Sequence, residues 1–306
     1  DRNPPASDRH LGRAAGDDLG AAYLQALRGA LDATPELDAV VLLGMDGRYD
    51  AQGELDRVSS PYVFGLATLM AACAQDPRLL PGPSINPARR DALDALDEAA
   101  ARGAVLIKTI PNSQDFDPAE ARFRPFWRKL AALGLPWLTH SGREHTLSVT
   151  EQAYGEPQRL VPALEEGVTV IAAHAGAAGI SPGPESFPAY LDLLARFPNL
   201  YGDLSALTNL SRAGYLRHFF QRPELFERML HGSDYPVPAV PERFVLRLGF
   251  GALGAIRRQG NLLSTSALLL ARLGAPESVF TRADGLLRIS DAQRAGIAAH
   301  PRPAAS

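Results

Sequence analysis

Short apolar runs alternate along the chain with longer stretches in which hydrophobic residues recur at helical spacing. LDAVVLLG, GAVLIKTI, LPWLTH, VTVIAAH and NLYGDLS are nearly continuous in apolar residues. Runs this short without polar alternation read as strands buried on both faces, the habit of parallel sheets. LLPGPSI and the apolar end of PELFERML are weaker runs of the same kind, so strands are expected near residues 41, 84, 107, 138, 171, 201 and 231. Between them, LGAAYLQALRGAL (19–31), VFGLATLMAACAQ, PARRDALDALDEAAAR (87–102), ARFRPFWRKLAALG, the 158–166 stretch and SFPAYLDLLARFP carry helical periodicity. Asp18 can cap the first helix, Pro87 opens the third, and Gly103 and Gly134 follow helix ends. Beyond Pro241 the pattern is mostly helical.

Strands recurring roughly every 32 residues, with helices between them, imply an α/β fold with a parallel sheet, and sustained this long they favour a (β/α)8 TIM barrel. Only seven strands are legible, and the deficit falls before residue 37, so the first strand is expected to be absent from this chain. Residues 1–18 are polar and aperiodic and read as a loop segment. Residues 19–292 then form the barrel domain, and 293–306 a disordered tail.

Composition narrows the class without deciding it. Of 306 residues, 46% are hydrophobic and 21% charged, ordinary for a soluble globular protein. A net charge of -3 and the lack of a Lys/Arg block speak against nucleic acid or an anionic membrane as partner. No stretch approaches the ~20 apolar residues of a membrane span, and no signal peptide is visible. The single cysteine, Cys73, fits a reducing compartment and reads as packing on a helix face. The expectation is a cytoplasmic enzyme acting on a small molecule. A homo-oligomer is possible, with Phe219 and Phe220 as exposed-looking interface aromatics.

Three of the apolar runs end in a residue able to hold a metal ion: His140, His174 and Asp234. In parallel α/β folds the carboxyl ends of the strands are where ligands bind. His140 precedes the Ser141-Gly142 turn, and His174 sits among small residues in AAHAGAAG. Asp234, in GSDYP, follows an apolar run and needs a partner to justify its burial. Lys108 closes AVLIK and could pair with a carboxylate, bind an anionic substrate or be carboxylated into a metal bridge. The plain alternatives are hydrogen-bonded histidines capping a barrel and a lysine snorkelling to its rim. Arg143, Glu144 and Asp203 are orienting or substrate-binding candidates. His231 reads as facing the core or a helix, and His10, His145, His218 and His300 as loop or surface residues. No Gly-rich phosphate loop, G-x-S-x-G elbow or cysteine metal motif occurs.

GAVLIKTIPN, GLPWLTHSGRE, GVTVIAAHAGAAG, NLYGDLSAL and RMLHGSDYPVP resemble successive blocks of the amidohydrolase-related branch of the amidohydrolase superfamily. The resemblance, running from about Leu37 to Pro241, implies a metal-dependent (β/α)8 barrel acting on amides, esters, lactones or carboxylated small molecules. It assigns Lys108 to the fourth-strand lysine, His140 to the fifth-strand ligand, His174 to the sixth-strand histidine and Asp234 to the eighth-strand aspartate. It also implies a His-x-His pair at the end of the first strand. No His-x-His occurs here, so that strand is expected to lie before Asp1.

The function this implies is hydrolysis by a water activated on one or two divalent ions, zinc first among them, with metal ligands His140, His174, Asp234 and, if carboxylated, Lys108. Asp234 then moves the proton, while His174 either ligates or polarises the substrate carbonyl. Arg143, Glu144 and Arg212 are the substrate-binding candidates, the arginines because a guanidinium grips a carboxylate with two hydrogen bonds. Two rivals are a metal-dependent decarboxylase of an unsaturated or aromatic acid and a non-catalytic barrel without its metal.

Overall fold

The computed structural model describes residues 19–60, 62–144, 146–179 and 186–300. Its strands are β1 (Val40–Leu43), β2 (Leu79–Gly82), β3 (Ile107–Thr109), β4 (Trp137–His140), β5 (Val170–Ala173), β6 (Leu200–Asp203) and β7 (Met229–Leu230). All pair in parallel and in chain order: β1 with β2, and β3 through β7 in one sheet. A Ser84–Lys108 bridge links the two groups. Strand alternation sorts the side chains into two layers. Leu80, Leu106, Leu138, Ile171 and Leu230 meet inside the barrel. Leu79, Ile107, Trp137, Val170, Leu200 and Met229 face outward into the larger core under the helices.

The helices are α1 (Leu19–Asp32), α2 (Leu66–Cys73), α3 (Ala92–Ala101), α4 (Pro111–Gln114), α5 (Arg124–Leu133), α6 (Val161–Glu165), α7 (Phe187–Arg196), α8 (Leu216–Gln221), α9 (Val245–Gln259), α10 (Thr265–Leu273), α11 (Ser278–Leu286) and α12 (Asp291–Ala299). α5 illustrates how the pattern becomes packing. It buries Phe126, Trp127 and Leu130 on one face, and Gly134 ends it in the left-handed conformation that glycine adopts without a Cβ clash. Trp127 and Trp137 are fully buried with ring centroids 4.4 Å apart, so truncating either would cost about 3–5 kcal/mol.

The seven strands lie where the apolar runs place them, as a TIM barrel requires, and the ring has a seam between β7 and β1. On the β7 side, the N–H of His231 donates to the Val279 carbonyl at 2.8 Å, and Arg282 Nε donates to the Met229 carbonyl at 3.1 Å. The edge of β7 is thus capped by α11. β2, β4 and β5 are buried along their whole length, whereas β1, equally apolar, leaves Leu43 38% exposed and Val40 and Val41 half-buried.

Two expectations are corrected. The tail expected to be disordered from residue 293 is helical as far as Ala299, because Ser290 and Gln293 form a capping box that starts α12. Phe219 is fully buried against Phe187 and Phe226, and Phe220 packs on Phe226 with the Arg247 guanidinium 4.0 Å from its ring, so this pair is core rather than an exposed interface. Cys73 is buried on α2, where burial pushes its thiol up to about 12. Residues 1–18, His10 and His145 lie outside the described residues. No described helix is long and apolar enough to cross a membrane.

Candidate functional site

The alternation that points Leu106 and Leu138 into the barrel also points Lys108 and His140 inward, two residues further along β3 and β4. Both side chains are buried at the carboxyl-terminal rim. His174 follows β5 and by parity would face the helices. Its backbone instead turns left-handed, with φ 60°, and the ring lines the interior cavity. Asp234 is left-handed too, with φ 55°. Such backbone is costly for a residue with a Cβ, and it collects at functional sites.

Hydrogen bonds fix His174. Its N–H donates to Asp203 Oδ1 at 2.8 Å, and its Nδ1 lies 3.0 Å from the Ser205 carbonyl and 2.8 Å from Ser205 Oγ. A carbonyl only accepts, so Nδ1 carries the proton and Nε2 presents its lone pair. The Ser205 hydroxyl and N–H both donate to Asp203 Oδ1, the N–H at 3.0 Å. Gly232 allows this close approach, since a Cβ there would stand 3.0 Å from the Ser205 Cβ. The His140 ring is 5.2 Å from that of His174, centroid to centroid. Its Nδ1 is 3.4 Å from Glu144 Oε2, and its buried Nε2 has no partner among the described residues.

Burial dominates the protonation of the group. It holds both imidazoles well below their usual range; Lys108 and Arg212 push the same way, and beside His140 the Glu144 carboxylate opposes. Lys108 is lowered by burial against the pull of Asp203, Asp234 and Glu144. Burial raises Asp203. Asp234 is pushed up to about 7 by burial and by Asp203, with Lys108 and Arg212 opposing. Arg212, also buried, donates from Nε to the Ala177 carbonyl at 3.0 Å and from Nη2 to the Arg143 carbonyl at 3.1 Å.

Lys108, His174, Asp203, Ser205 and Asp234 share the polar end of a cavity of about 410 Å³. His140 joins them through its contact with His174, and Arg212 through its field on Asp234. Glu144 is turned toward His140 and accepts from the N–H groups of Thr146 and Leu147, so it braces its own loop. Arg143 is half-buried and lends Arg212 its carbonyl. His231 bonds Ser266 Oγ at 3.1 Å and stacks near Phe280 in the cavity wall. Sequence reasoning passed over Ser205, whose signal is a polar residue two places after the strand-end Asp203. It also passed over the Tyr23–Tyr235 contact beside Asp234, whose rings are 5.7 Å apart; nothing local marks that pair.

The donor chemistry suits a divalent ion in kind. The unpartnered His140 Nε2 and the lone pair of His174 Nε2 are two imidazole donors, and Asp234 is a carboxylate on the same rim. In number they fall short, because no three His, Cys, Asp or Glu side chains among the described residues stand close enough together to hold an ion.

A family model for amidohydrolases matches residues 10–251. The chain belongs to the amidohydrolase family. Amidohydrolases of this family typically use divalent metals. In this chain Lys108 lies within β3, His140 ends β4, His174 follows β5 and Asp234 lies in the loop after β7. No curated protein matches the chain. Among solved structures, it is similar to an uncharacterised TIM-barrel protein of Bordetella bronchiseptica, with a TM-score of 0.59 and 17% identity over 95% of this chain and 89% of that one. A candidate 2-pyrone-4,6-dicarboxylic acid hydrolase of Pseudomonas putida aligns with a TM-score of 0.54 and 19% identity over 94% and 90%. Another from Acinetobacter baumannii, with citric acid bound, aligns at 0.53 and 14% over 96% and 95%. At these identities the likeness establishes the TIM-barrel fold of this amidohydrolase.

Proposed function

We propose that this amidohydrolase hydrolyses a small amide, ester or lactone that carries an anionic group, at the carboxyl-terminal rim of the barrel. The observation that carries the reading is the gathering of Lys108, His174 and Asp234 around one end of a single cavity. A proton carrier works best with a pKa near the working pH, and Asp234, at about 7, is divided between its two forms at neutrality. It takes a proton from the attacking water and returns it to the leaving group. Lys108 and Arg212 balance the anion of the substrate in surroundings poor in water, where such pairing is strong. The His174 tautomer suits a ligand or proton acceptor and not a group that polarises a carbonyl, because its Nε2 has no proton to donate.

His140 and His174 would supply two of the ligands of a divalent ion, zinc by the nature of the donors, and the described residues do not complete the set. When bound, such an ion supplies a water acidic enough to ionise near neutrality and a Lewis-acid pull on the carbonyl. The hydrolases and the citrate-bound protein among the structural neighbours are consistent with an anionic substrate. Decarboxylation of an unsaturated or aromatic acid uses the same cations to hold the acid and Asp234 to deliver the proton. The test is product analysis in 18O-labelled water on panels of lactones, esters, amides and unsaturated acids, with and without added zinc. Label in the product acid supports hydrolysis; carbon dioxide released without label incorporation overturns it. The proposed setting is a cytoplasmic enzyme.

A further inference from the structure

The loop after β4 leaves the rim at Ser141, carries Arg143 and Glu144, and returns at Gly155. Its neck is closed by the Gly142 N–H, which donates to the Gly155 carbonyl at 2.7 Å. Asn112, fully buried on α4, sits in that neck. Its Nδ2 donates to the carbonyls of Gly142 and Gln152, each at 3.2 Å, with Gln152 Oε1 at 3.4 Å. Its own carbonyl accepts from the Thr150 N–H at 2.8 Å. All three neighbours of the amide nitrogen are acceptors, so the side chain is oriented by its donor. Its buried Oδ1 is left without a partner among the described residues. A Cβ on Gly155 would overlap both Asn112 Nδ2 and the Gly142 carbonyl, so the neck admits no side chain there.

Gln152 extends the clamp by one step. Its Nε2 donates to the Glu144 carbonyl at 2.8 Å, and its Oε1 accepts from the Glu144 N–H at 3.1 Å. One side-chain amide thus pairs with both backbone groups of Glu144, as a neighbouring strand would. Gly142 is fixed by Asn112 and Glu144 by Gln152, and the residue between them is Arg143. The Arg143 carbonyl accepts from Arg212 Nη2 at 3.1 Å, and its backbone also bonds the His140 ring. Arg212 spends the Nε–Nη2 edge of its guanidinium on two carbonyls, Ala177 and Arg143, which leaves the Nη1–Nη2 edge with hydrogens to offer an anion. One of the two carbonyls that set the plane of that guanidinium is therefore held only as firmly as the clamp holds it.

We infer that Gln152, seated on Asn112, is a positioning residue for the reaction at the rim. It holds the Arg143 carbonyl where that one group orients the Arg212 guanidinium and the His140 ring together. Giving Arg212 an anion to hold rests on the hydrolase reading; the clamp itself does not. Only a side chain with a donor and an acceptor side by side can hold both groups of Glu144, and alanine at 152 would free that peptide to turn. Arg48 supplies the contrast. Its Nε donates to the Ser113 carbonyl at 2.8 Å and its Nη2 to the Ser148 carbonyl at 3.0 Å, so it ties the tip of the same loop to the loop after β1. It has no hydrogen bond to Gly142, Arg143 or Glu144 among the described residues.

The test compares Gln152→Ala and Arg48→Met with the native full chain, with citrate as the anion probe. Calorimetry reads citrate affinity and thermal unfolding reads stability. Heteronuclear NMR reads the Arg212 Nε–H and the His140 ring nitrogens with no ligand added. Both variants are expected to lower Tm by a few degrees. Only Gln152→Ala is expected to weaken citrate binding, by about tenfold or more. It alone should also speed exchange of the Arg212 Nε proton and replace a single His140 tautomer by a mixture. An equal loss of citrate affinity in the two variants would make Gln152 a structural brace and overturn the proposal. So would unchanged Arg212 and His140 signals in Gln152→Ala. If the native chain takes up no citrate, the anion-holding part of the hydrolase reading fails, and the NMR comparison alone decides the clamp.

Discussion

Asp234→Asn should flatten the pH dependence of stability in the metal-free protein between pH 5 and 8.5. The folded chain holds this carboxyl at about 7, well above its ordinary value of 3.8. A carboxyl whose folded pKa is raised binds its proton more tightly folded than unfolded. It therefore costs nothing below the unfolded pKa and destabilises increasingly as pH rises toward the folded pKa. A tenfold change in acidity is worth about 1.4 kcal/mol, so the full ionisation penalty is about 4 kcal/mol. Between pH 5 and 7 roughly 2 kcal/mol of it develops. Asp234 is only half-buried by surface, so solvent screens part of this, and a loss of about 1–2 kcal/mol is expected from the native chain. Asn cannot ionise, so the variant should lack that loss. Absolute stabilities also differ because Lys108 and Arg212 lose a neighbouring charge, and for that reason the slope is the readout. Urea unfolding at pH 5, 6, 7 and 8.5 in the presence of chelator measures it. Parallel stability curves for the two proteins would refute the reasoning.

Ser205→Ala removes the hydroxyl shared by Asp203 and His174 Nδ1 but keeps the carbonyl at 3.0 Å, so the tautomer should be held less firmly rather than lost. About 1 kcal/mol of stability and roughly 10- to 100-fold in metal affinity should go, checked by thermal unfolding and zinc titration. Lys108→Met keeps the volume and removes a buried cation, so the fold should be as stable or more so. KM for an anionic substrate should nonetheless rise at least about tenfold, and an uncharged analogue should show no such rise.

The strands were readable because each is a run with no polar position to hide, and an element buried on both faces has no other way to be built. LPWLTH and VTVIAAH became β4 and β5 with their terminal histidines at the rim. The C-terminal boundary was misjudged because AAHPRPAAS looks featureless and α12 buries none of its own residues. Its start is set by a side-chain and backbone exchange between Ser290 and Gln293, which composition does not reveal. Phe219 and Phe220 were misjudged for the opposite reason: two adjacent aromatics read as surface, but the short α8 places one in the core and leaves the other to Arg247.

The site divides along the same physical line. Lys108 and His140 could be placed from parity alone, since a strand sends every second side chain inward. His174 could not, because it violates parity, and what redirects it is a left-handed backbone held by an aspartate and a serine about thirty residues further on. That bracing has a chemical consequence which the residue type does not carry. A histidine read as either ligand or electrophile is committed by its Nδ1 bond to presenting a lone pair. Asp203 and Ser205 therefore hold the His174 ring in place, and in the proposed reaction the proton is carried by Asp234.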